Sequence, residues 1–518
     1  MKANASERRI SSRKNLLSMP LVQREEKEMC SRVTHTLTNA FSNVLSAPFP
    51  ENNQNYDLNE DISTSLISKN RTKCMKENYE SHKEASRQSL QSTHSILEYT
   101  ENRTVLKCSN MQTLMNLLKG TAGTGILSLP FAFKNSGLWT GFGLFLIIAL
   151  VAVHCMHILS DSSNRLEQRA GRQIANYADV VELAFSHGPK GLQRLAKPMR
   201  YVSNTLICIM QCGFCCVYIA WASVTIKEVL DQYWPSSPNV RVYEVTVFLL
   251  LLPYVMIRSL KILAVFSAVA NVIYLVGLIV ILQYMLQDLP NQKERPVFKS
   301  WSSLTMFFGT SVYSFESICL IIPLRNRMQN VSDFGGWSGV LSLAMVIVTA
   351  MYTAVGFYGY LKFGEDSAAA ITLNLPVKQI LYQLVNVSFA VAVFISVAVQ
   401  FYVPINVVWP VIENWFLHRT SSPAFQVLEY LTRAVLLIII FSIATLAPHI
   451  ELLMALFGSF CGGLMSIIIP VFVEMLTLYG DEELTALVLA KDVFLLCFGL
   501  LGLTTGTYTA MLDISQTF

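Results

Sequence analysis

Long apolar segments alternate with short polar connections from about residue 106 to residue 512. Each segment holds roughly 17 to 25 mainly apolar residues, which is enough for a helix to cross about 30 Å of hydrocarbon at 1.5 Å per residue. The pattern predicts about eleven transmembrane helices. The predicted spans cover residues 111–133, 138–160, 199–230, 241–257, 262–286, 301–324, 336–361, 380–402, 427–447, 451–478 and 489–512.

The pattern before the first span is different. Residues 1–105 are rich in Ser, Asn, Lys, Glu and Arg and contain few aromatic residues. Such a segment cannot bury enough apolar surface to offset the entropy of ordering its chain. We therefore predict a disordered cytosolic tail over residues 1–105 and a transmembrane domain over residues 106–518.

Charge in the connections predicts the orientation. The connection after the second span carries seven basic residues: Arg165, Arg169, Arg172, Lys190, Arg194, Lys197 and Arg200. Lys and Arg accumulate in short loops on the cytosolic side, so we predict a cytosolic N-terminus. Lys293, Arg295 and Lys299, on the predicted opposite side, weaken this bias.

Composition agrees with a multi-pass membrane protein. Hydrophobic residues make up 53% of the chain and charged residues 14%, against about 25% charged in soluble domains. The formal net charge of +4 is too small to indicate a nucleic-acid partner. The apolar composition indicates that the chain lies in the lipid bilayer. Cys30, Cys74 and Cys108 lie in or near the tail and the other cysteines lie in apolar segments, so no disulfide framework is predicted.

Glycines interrupt the first span, TLMNLLKGTAGTGILSLPFAFKNSG, at Gly120, Gly123 and Gly125. Backbone groups in hydrocarbon need hydrogen-bond partners, so unwound backbone is tolerated only where it lines a cavity or contacts a ligand. We therefore predict a broken helix that binds a ligand. The alternative is that these glycines let helices pack closely.

The sixth span, WSSLTMFFGTSVYSFESICLIIP, combines Gly309, Thr310 and Ser311 with the acid Glu316. Interrupted helices five positions apart indicate two inverted repeats of five helices, with a substrate site near the midplane. The predicted fold is therefore all-α and polytopic, with a five-plus-five inverted repeat and broken first and sixth helices. Such a fold is typical of secondary transporters.

The chemistry of the two breaks favours a small zwitterion. The half-helix that begins near Gly123 presents unpaired N–H groups and a partial positive charge, which suit a carboxylate. Freed carbonyl groups around Thr121, Ala122, Gly309 and Thr310, with the hydroxyls of Thr124 and Ser311, are suited to an ammonium group. The predicted substrate-binding residues are Gly120, Thr121, Ala122, Gly123, Thr124, Gly125, Gly309, Thr310, Ser311 and Phe315.

Glu316 is the only acidic residue in the sixth span. An ionisable group at such depth costs at least about 2.5 kcal/mol on insertion scales, so its presence indicates a role in handling protons or substrate. The alternative is a protonated acid that bonds to a neighbouring helix.

Other candidate sites do not support an enzyme or a metal centre. His154 and His157 lie on one helical face, but no adjacent acid completes a zinc ligand set. Cys208, Cys212, Cys215 and Cys216 lie in apolar surroundings, where cysteine usually behaves as a small hydrophobe. The sequence shows neither a phosphate-binding loop nor a nucleophile paired with a base. We predict no enzymatic activity, no cofactor and no metal.

Several ordered motifs resemble the amino acid/auxin permease superfamily: LMNLLKGTAGTGILSLPFAFKNSGLWTG, IIALVAVHCMHIL, FGTSVYSFESICLIIPLRNRM, VQFYVPINVVWP and APHIELLMALFGSFCGGLMSIIIP. The resemblance runs from about residue 105 to the end and is strongest to the proton-coupled amino acid transporters. It implies an eleven-helix inverted-repeat fold and transport of glycine, alanine and proline, usually with a proton. It also implies that the GTAGTG and SFES segments line the substrate site.

The chain departs from that family pattern at positions linked to coupling. Asn116 stands where the family motif typically has the histidine of HLLKG, and an amide cannot titrate. Asn406 stands where an acid often follows YVP and one residue, and Ser317 stands where the family has the glycine of FEG. Luminal cysteines that pair in the family have no visible counterpart. Coupling through the usual histidine is therefore not expected, and Glu316 is another candidate proton acceptor.

These observations predict a transporter of small neutral amino acids that is facilitative or atypically proton-coupled. The alternative is an amino acid sensor with a transporter fold, which binds at the same site, signals through its tail and turns over little. The plasma membrane is the favoured location, and the lysosomal or endosomal membrane is the alternative.

Overall fold

The computed structural model describes residues 107–517 apart from 122, 235–237, 259, 377, 417–421 and 447–448. The predicted tail, residues 1–105, lies outside the described residues. The described chain is helical, and its one isolated β-bridge joins Cys108 to Met328.

Fifteen α-helices follow one another along the described chain. They are α1 (Asn110–Thr121), α2 (Gly125–Ser136), α3 (Leu138–Ala170), α4 (Tyr177–His187), α5 (Ala196–Asp231), α6 (Val240–Val255), α7 (Leu260–Met285), α8 (Ser303–Ser314), α9 (Ile321–Asn326), α10 (Val340–Phe363), α11 (Ile380–Phe416), α12 (Ser422–Leu446), α13 (Ile450–Phe457), α14 (Ile469–Gly480) and α15 (Ala486–Thr517). A π-helix, Gly458–Ile468, joins α13 to α14, and short 3₁₀-helices cover Gln193–Leu195, Gln292–Glu294, Ile318–Leu320, Val331–Asp333, Gly364–Asp366 and Ile371–Asn374.

Each predicted span is helical over most of its described length. Nine helical stretches in the described part of the chain are long and apolar enough to cross a membrane. The other two predicted spans miss that length: the first is divided into α1 and α2, with 12 residues each, and α6 has 16 residues. The structure therefore confirms an all-α, multi-pass membrane fold.

The first and sixth spans are both broken, as predicted. The first break lies between Thr121 and Gly125, and the second lies between Ser314 and Ile321, where a 3₁₀ turn separates α8 from α9. The third and eighth spans, α5 and α11, pack along each other. This order of elements is the one predicted for a five-plus-five inverted-repeat transporter.

Small residues let α2 and α10 approach closely. A Cβ atom built on Gly356 would lie 2.5 Å from Phe133 Cε2, and one built on Gly359 would lie 2.5 Å from Pro130 Cγ. Helices in a membrane gain little from the hydrophobic effect and associate through such close van der Waals contact. The two glycines thus hold α10 against the half-helix that follows the first break.

Two elements differ from the sequence prediction. The charged connection after the second span contains α4, which begins after Asn176; the side chain of that residue accepts a hydrogen bond of 3.0 Å from the Asp179 N–H. This N-cap stabilises a short helix whose apolar face is buried. The predicted tenth span contains the π-helix, and π-helical turns occur frequently at functional sites.

Candidate substrate-binding site

The first break is held open by two tyrosine hydroxyls from other spans. Tyr352 Oη on α10 donates a hydrogen bond of 2.6 Å to the carbonyl oxygen of Thr121. Tyr274 Oη on α7 donates one of 2.6 Å to the carbonyl oxygen of Gly123. These carbonyls lie where the helix is interrupted, so side chains supply the partners that the backbone requires. Ala122, a predicted site residue, lies outside the described residues.

The second break lies against the first. Thr121 Oγ1 donates a hydrogen bond of 2.9 Å to the Leu117 carbonyl and lies 3.2 Å from Ser317 Oγ. Ser314 Oγ donates a hydrogen bond of 3.0 Å to the Gly125 carbonyl. Side-chain hydrogen bonds therefore join the two breaks directly.

Gly125 permits this close approach. A Cβ atom built on it would lie 2.6 Å from Ser314 Cα, which is a backbone atom and cannot move aside by a rotamer change. Gly123 is different, because its built Cβ would lie 3.5 Å from the Tyr218 hydroxyl oxygen, an ordinary contact. Gly120 is exposed, and its built Cβ would lie 2.6 Å from Leu320 Cδ1.

The second break is displaced from its predicted position. Gly309, Thr310 and Ser311 lie within α8, so the expectation of freed carbonyls at Gly309 and Thr310 is wrong. Gly309 is a packing residue, since a Cβ built on it would lie 2.4 Å from the Ala455 carbonyl oxygen. The helix continues to Ser314, three residues beyond Ser311, and the break begins at Phe315.

Phe315 places an aromatic ring beside the breaks. Its side chain is buried, and its ring centroid lies 5.3 Å from that of Phe145 and 5.4 Å from that of Tyr352. The same tyrosine therefore contacts the second break through its ring and the first break through its hydroxyl. Aromatic side chains thus occupy much of the space between the breaks.

Some hydroxyls near the breaks are buried and unpaired. Among the described residues, Thr310 Oγ1 and Ser311 Oγ have no hydrogen-bond partner. The buried Thr124 hydroxyl lies beside the hydroxyls of Tyr218 and Tyr313. Buried polar groups are normally satisfied, so an unpaired one is a place where a water can bind.

Glu316 contacts the π-helix. Ser466 Oγ donates a hydrogen bond of 2.5 Å to Glu316 Oε2, and a Cβ built on Gly462 would lie 3.5 Å from the same oxygen. The carboxyl group thus connects the second break to the tenth span. Sequence reasoning singled out Glu316 but did not predict this partner.

Asn116 lies on the exposed face of α1, one helical turn before Gly120. The opposite face of this helix buries Thr113, Leu117 and Thr121. The amide therefore does not belong to the buried contacts that join the breaks.

The contacts of His157, Cys215 and Cys216 fit roles in packing and hydrogen bonding. Both ring nitrogens of His157 are within 2.9 Å of oxygen partners, the Val153 carbonyl and Ser342 Oγ. Cys215 and Cys216 are buried, and their thiols contact carbonyl oxygens of neighbouring helices.

A buried arginine joins α9 to α3 beyond the second break. Arg325 is fully buried; its guanidinium forms an ion pair with Glu167 and donates hydrogen bonds to Asn164 Oδ1 (2.8 Å) and the Ser160 carbonyl (3.2 Å). Sequence reasoning missed this cluster. An arginine placed directly after an apolar span was the available signal.

The same end of the molecule carries further ion pairs. Arg165 Nη1 lies 3.1 Å from Asp481 Oδ2, and Arg169 also pairs with this carboxylate. Burial raises the pKa of Asp481, but the hydrogen bonds and positive charges of Arg169 and Arg165 outweigh that effect and hold the pKa below its ordinary value. These pairs connect the end of α3 to the turn after α14.

Comparisons with known proteins agree with this architecture. The profile described as transmembrane amino acid transporter protein matches residues 107–512. A Drosophila melanogaster protein, proton-coupled amino acid transporter-like protein pathetic, is 31% identical over 412 residues, covering 79% of this chain and 85% of that protein. A Caenorhabditis elegans protein, probable amino acid transporter skat-1, is 28% identical over 424 residues, covering 79% of this chain and 90% of that protein.

Among solved structures, MhsT in complex with L-phenylalanine is similar with 14% identity and a TM-score of 0.44, covering 77% of this chain and 98% of that one. The family match spans more than half of the chain. The resemblance drawn from the sequence motifs is confirmed: the chain belongs to the transmembrane amino acid transporter family.

Proposed function

We propose that this protein moves small neutral amino acids such as glycine, alanine and proline across a membrane, through a site between the two helix breaks. The observation that carries the proposal is the direct bond between the breaks, Thr121 Oγ1 to Ser317 Oγ. Two interrupted helices that meet at the midplane supply both backbone polarities needed by a zwitterion.

The carboxylate end is assigned to the start of α2. The first N–H groups of a helix lack intrahelical partners and carry a partial positive charge. Thr124, which precedes α2, has a buried hydroxyl that lies beside the hydroxyls of Tyr218 and Tyr313. This hydroxyl and the adjacent N–H groups form a site of the kind that binds carboxylates.

The ammonium end is assigned to the carbonyl of Gly123. This oxygen accepts the Tyr274 hydroxyl, and because a carbonyl oxygen has two lone pairs it retains one acceptor position for an N–H donor of the substrate. The Thr121 carbonyl already accepts two hydrogen bonds, from the Tyr352 hydroxyl and, at 2.8 Å, from the Gly123 N–H. No carboxylate is needed to bind the ammonium group here.

The aromatic surroundings support small, uncharged substrate side chains. Phe315, Tyr352 and Phe145 pack against one another beside the breaks. The nearby acid, Glu316, is directed to Ser466. A charged substrate side chain would need a partner that these rings do not supply.

We further propose a cytosolic N-terminus and residence in the plasma membrane, with the lysosomal or endosomal membrane as the alternative. The orientation is supported by the basic residues at the end of α3, including Arg165 and Arg169, which lie at the end that also holds Arg325. Proton coupling is supported by the similarity to the Drosophila protein named proton-coupled amino acid transporter-like protein pathetic. Because the amide of Asn116 cannot titrate, we propose that such coupling uses another residue.

The test is flux through purified protein in lipid vesicles. Vesicles loaded with unlabelled alanine should take up radiolabelled alanine by counterflow, and a panel of labelled amino acids should show preference for glycine, alanine and proline. Gly123→Val should abolish this exchange, because valine restricts the backbone and fills the space beside Tyr218.

The matched control is Gly143→Val on α3, where a built Cβ has no neighbour within 4 Å among the described residues. This variant should exchange alanine normally. Saturable alanine binding without any counterflow would overturn transport and favour the sensor. Normal exchange by Gly123→Val would overturn the site.

A further inference from the structure

A row of polar side chains extends along α5 from the first break. Tyr218, Trp221, Thr225 and Glu228 are three or four residues apart, so they lie on one face of the helix. At the inner end of the row, the Tyr218 hydroxyl oxygen lies 3.5 Å from a Cβ built on Gly123. The outer end, Glu228, lies near the C-terminus of α5, which is exoplasmic in the proposed orientation.

This face packs against α11, which runs antiparallel to α5. Three contacts set the register between them: Cys215 Sγ to the Val397 carbonyl at 3.8 Å, the rings of Trp221 and Phe389 at 6.5 Å, and Tyr233 Oη to Gln383 Oε1 at 2.6 Å. Asn386 lies one turn from Phe389 on the same face of α11. The register therefore places Asn386 level with Thr225.

Trp221, Thr225 and Asn386 are buried, Glu228 is partly buried with its Oε2 shielded, and several polar atoms of these side chains are unpaired. Within the described part of the chain, Trp221 Nε1, Thr225 Oγ1, Glu228 Oε2 and both amide atoms of Asn386 have no hydrogen-bond partner. Asn386 and Thr225 are 0% exposed. A polar gap with two to four such partners per site is where proteins hold buried water. The interface between α5 and α11 thus offers unpaired hydrogen-bonding groups to water between Glu228 and Tyr218.

The charged groups around Glu228 leave it without a cationic partner. Lys227 Nζ, on the adjacent position of α5, bonds to Asp231 Oδ2 at 2.5 Å. The titratable groups on this half of the neighbouring helices include Tyr382 on α11, Tyr284 on α7, whose ring centroid lies 4.9 Å from that of Tyr382, and Arg241, Tyr243 and Glu244 on α6. No ion pair to Glu228 is found among the described residues. A buried carboxylate without a cation is stabilised by binding a proton.

We propose that Glu228 is the proton-binding residue of this transporter, reached from the exoplasmic side and connected to the substrate site through water held by Thr225, Asn386 and Trp221. The carboxylate takes up one proton from the exoplasmic solution and forms one O–H bond. It releases that proton on the other side after the transporter reopens. This assignment rests on the proposed function and supplies the titratable group that Asn116 cannot.

The test compares coupled and uncoupled movement in vesicles that contain the full-length protein. Counterflow of radiolabelled alanine at equal pH measures exchange without a proton gradient. Accumulation of labelled alanine under a gradient of one pH unit, acidic outside, measures coupling. For one proton per alanine, the wild type should accumulate alanine up to about tenfold, because one pH unit corresponds to a factor of ten in proton activity.

Glu228→Gln should keep counterflow and lose accumulation, so that internal and external alanine become equal. Glu244→Gln is the control, because Glu244 is a buried acid on the neighbouring helix α6. It should accumulate alanine like the wild type. Glu228→Asp keeps a titratable group and should accumulate alanine with a shifted pH profile.

Undiminished accumulation by Glu228→Gln would overturn the assignment, as would wild-type counterflow without accumulation. If Glu228→Gln fails to fold, Glu228→Asp decides: an unchanged pH profile overturns the proposal and a shifted one supports it. Absence of counterflow in the wild type would instead overturn the proposed transport function, so the two failures are distinguishable.

Discussion

Tyr352 on α10 donates a hydrogen bond of 2.6 Å from its hydroxyl to the carbonyl oxygen of Thr121, at the end of α1. The same side chain packs its ring against Phe315 in the second break. One residue of the seventh span therefore contacts both interrupted helices. Its position makes it sensitive to any rearrangement of the breaks during transport.

Tyr352→Phe tests that contact, since it removes the hydroxyl and keeps the ring. Losing a hydrogen bond of this kind costs about 0.5–1.5 kcal/mol, which corresponds to about a two- to twelvefold loss of substrate affinity. We expect KM for alanine uptake to rise by that factor. Tyr508→Phe is the control, because Tyr508 is 68% exposed on α15, and its KM should not change.

Gly125→Ala tests the close approach of the two breaks. The new Cβ would lie 2.6 Å from Ser314 Cα, so the backbone of α2 or α8 has to shift. Overpacking of this kind costs about 1–3 kcal/mol. We expect a lower midpoint of thermal unfolding in detergent and strongly reduced alanine uptake.

The control for that substitution is Gly143→Ala, which adds the same methyl group at an exposed position of α3. Equal stability and uptake in the two variants would show that the breaks do not need this contact.

Glu316→Gln tests the acid in the second break. Glutamine keeps the shape of the side chain and removes its charge, while Ser466 can still hydrogen-bond to the amide oxygen. We expect the transport rate per protein molecule, or its pH response, to change much more than the amount of protein at the membrane. Glu294→Gln, in the connection before α8, is the control.

A Glu316→Gln variant that is scarce but transports normally per molecule, at every pH, would assign the residue a structural role. Surface biotinylation together with uptake separates these results.

Asn116→His tests the departure from the family motif. A histidine on the exposed face of α1 should titrate near its ordinary pKa of about 6.5. We expect uptake in this variant to gain a pH-dependent component centred near that value. Asn116→Gln is the matched control, because glutamine cannot titrate, and a similar new component in it would contradict the interpretation.

The first break was predictable from the sequence because glycine marks it locally. The second break was predicted too early, since Gly309 resembles a helix interruption but is a packing residue against Ala455. The second break, formed by Phe315, Glu316 and Ser317, has neither a glycine nor a proline to mark it in the sequence. Their backbone leaves the helix where contacts with Thr121 and Ser466 form, and such contacts depend on residues far away in the chain.

The partners of the breaks were not predictable for the same reason. Tyr274 and Tyr352 lie in ordinary apolar spans, and only the packing of α7 and α10 brings their hydroxyls to the first break. Asn386 and Glu228 carried a usable signal, because polar and ionisable residues inside a membrane span are rare and usually functional. The apolar spans themselves were predictable because the bilayer fixes their length.

The contacts of Arg325 bear on the rate of transport and not on the choice of substrate. If the end of the protein that holds Arg325 opens by parting α9 from α3, the guanidinium has to leave Glu167, Asn164 and the Ser160 carbonyl in each cycle. None of these groups is among the residues assigned to hold the substrate. A substitution that weakens them should therefore speed or slow every substrate by one common factor and leave the order of preference unchanged. Turnover and selectivity can then be adjusted independently in this chain.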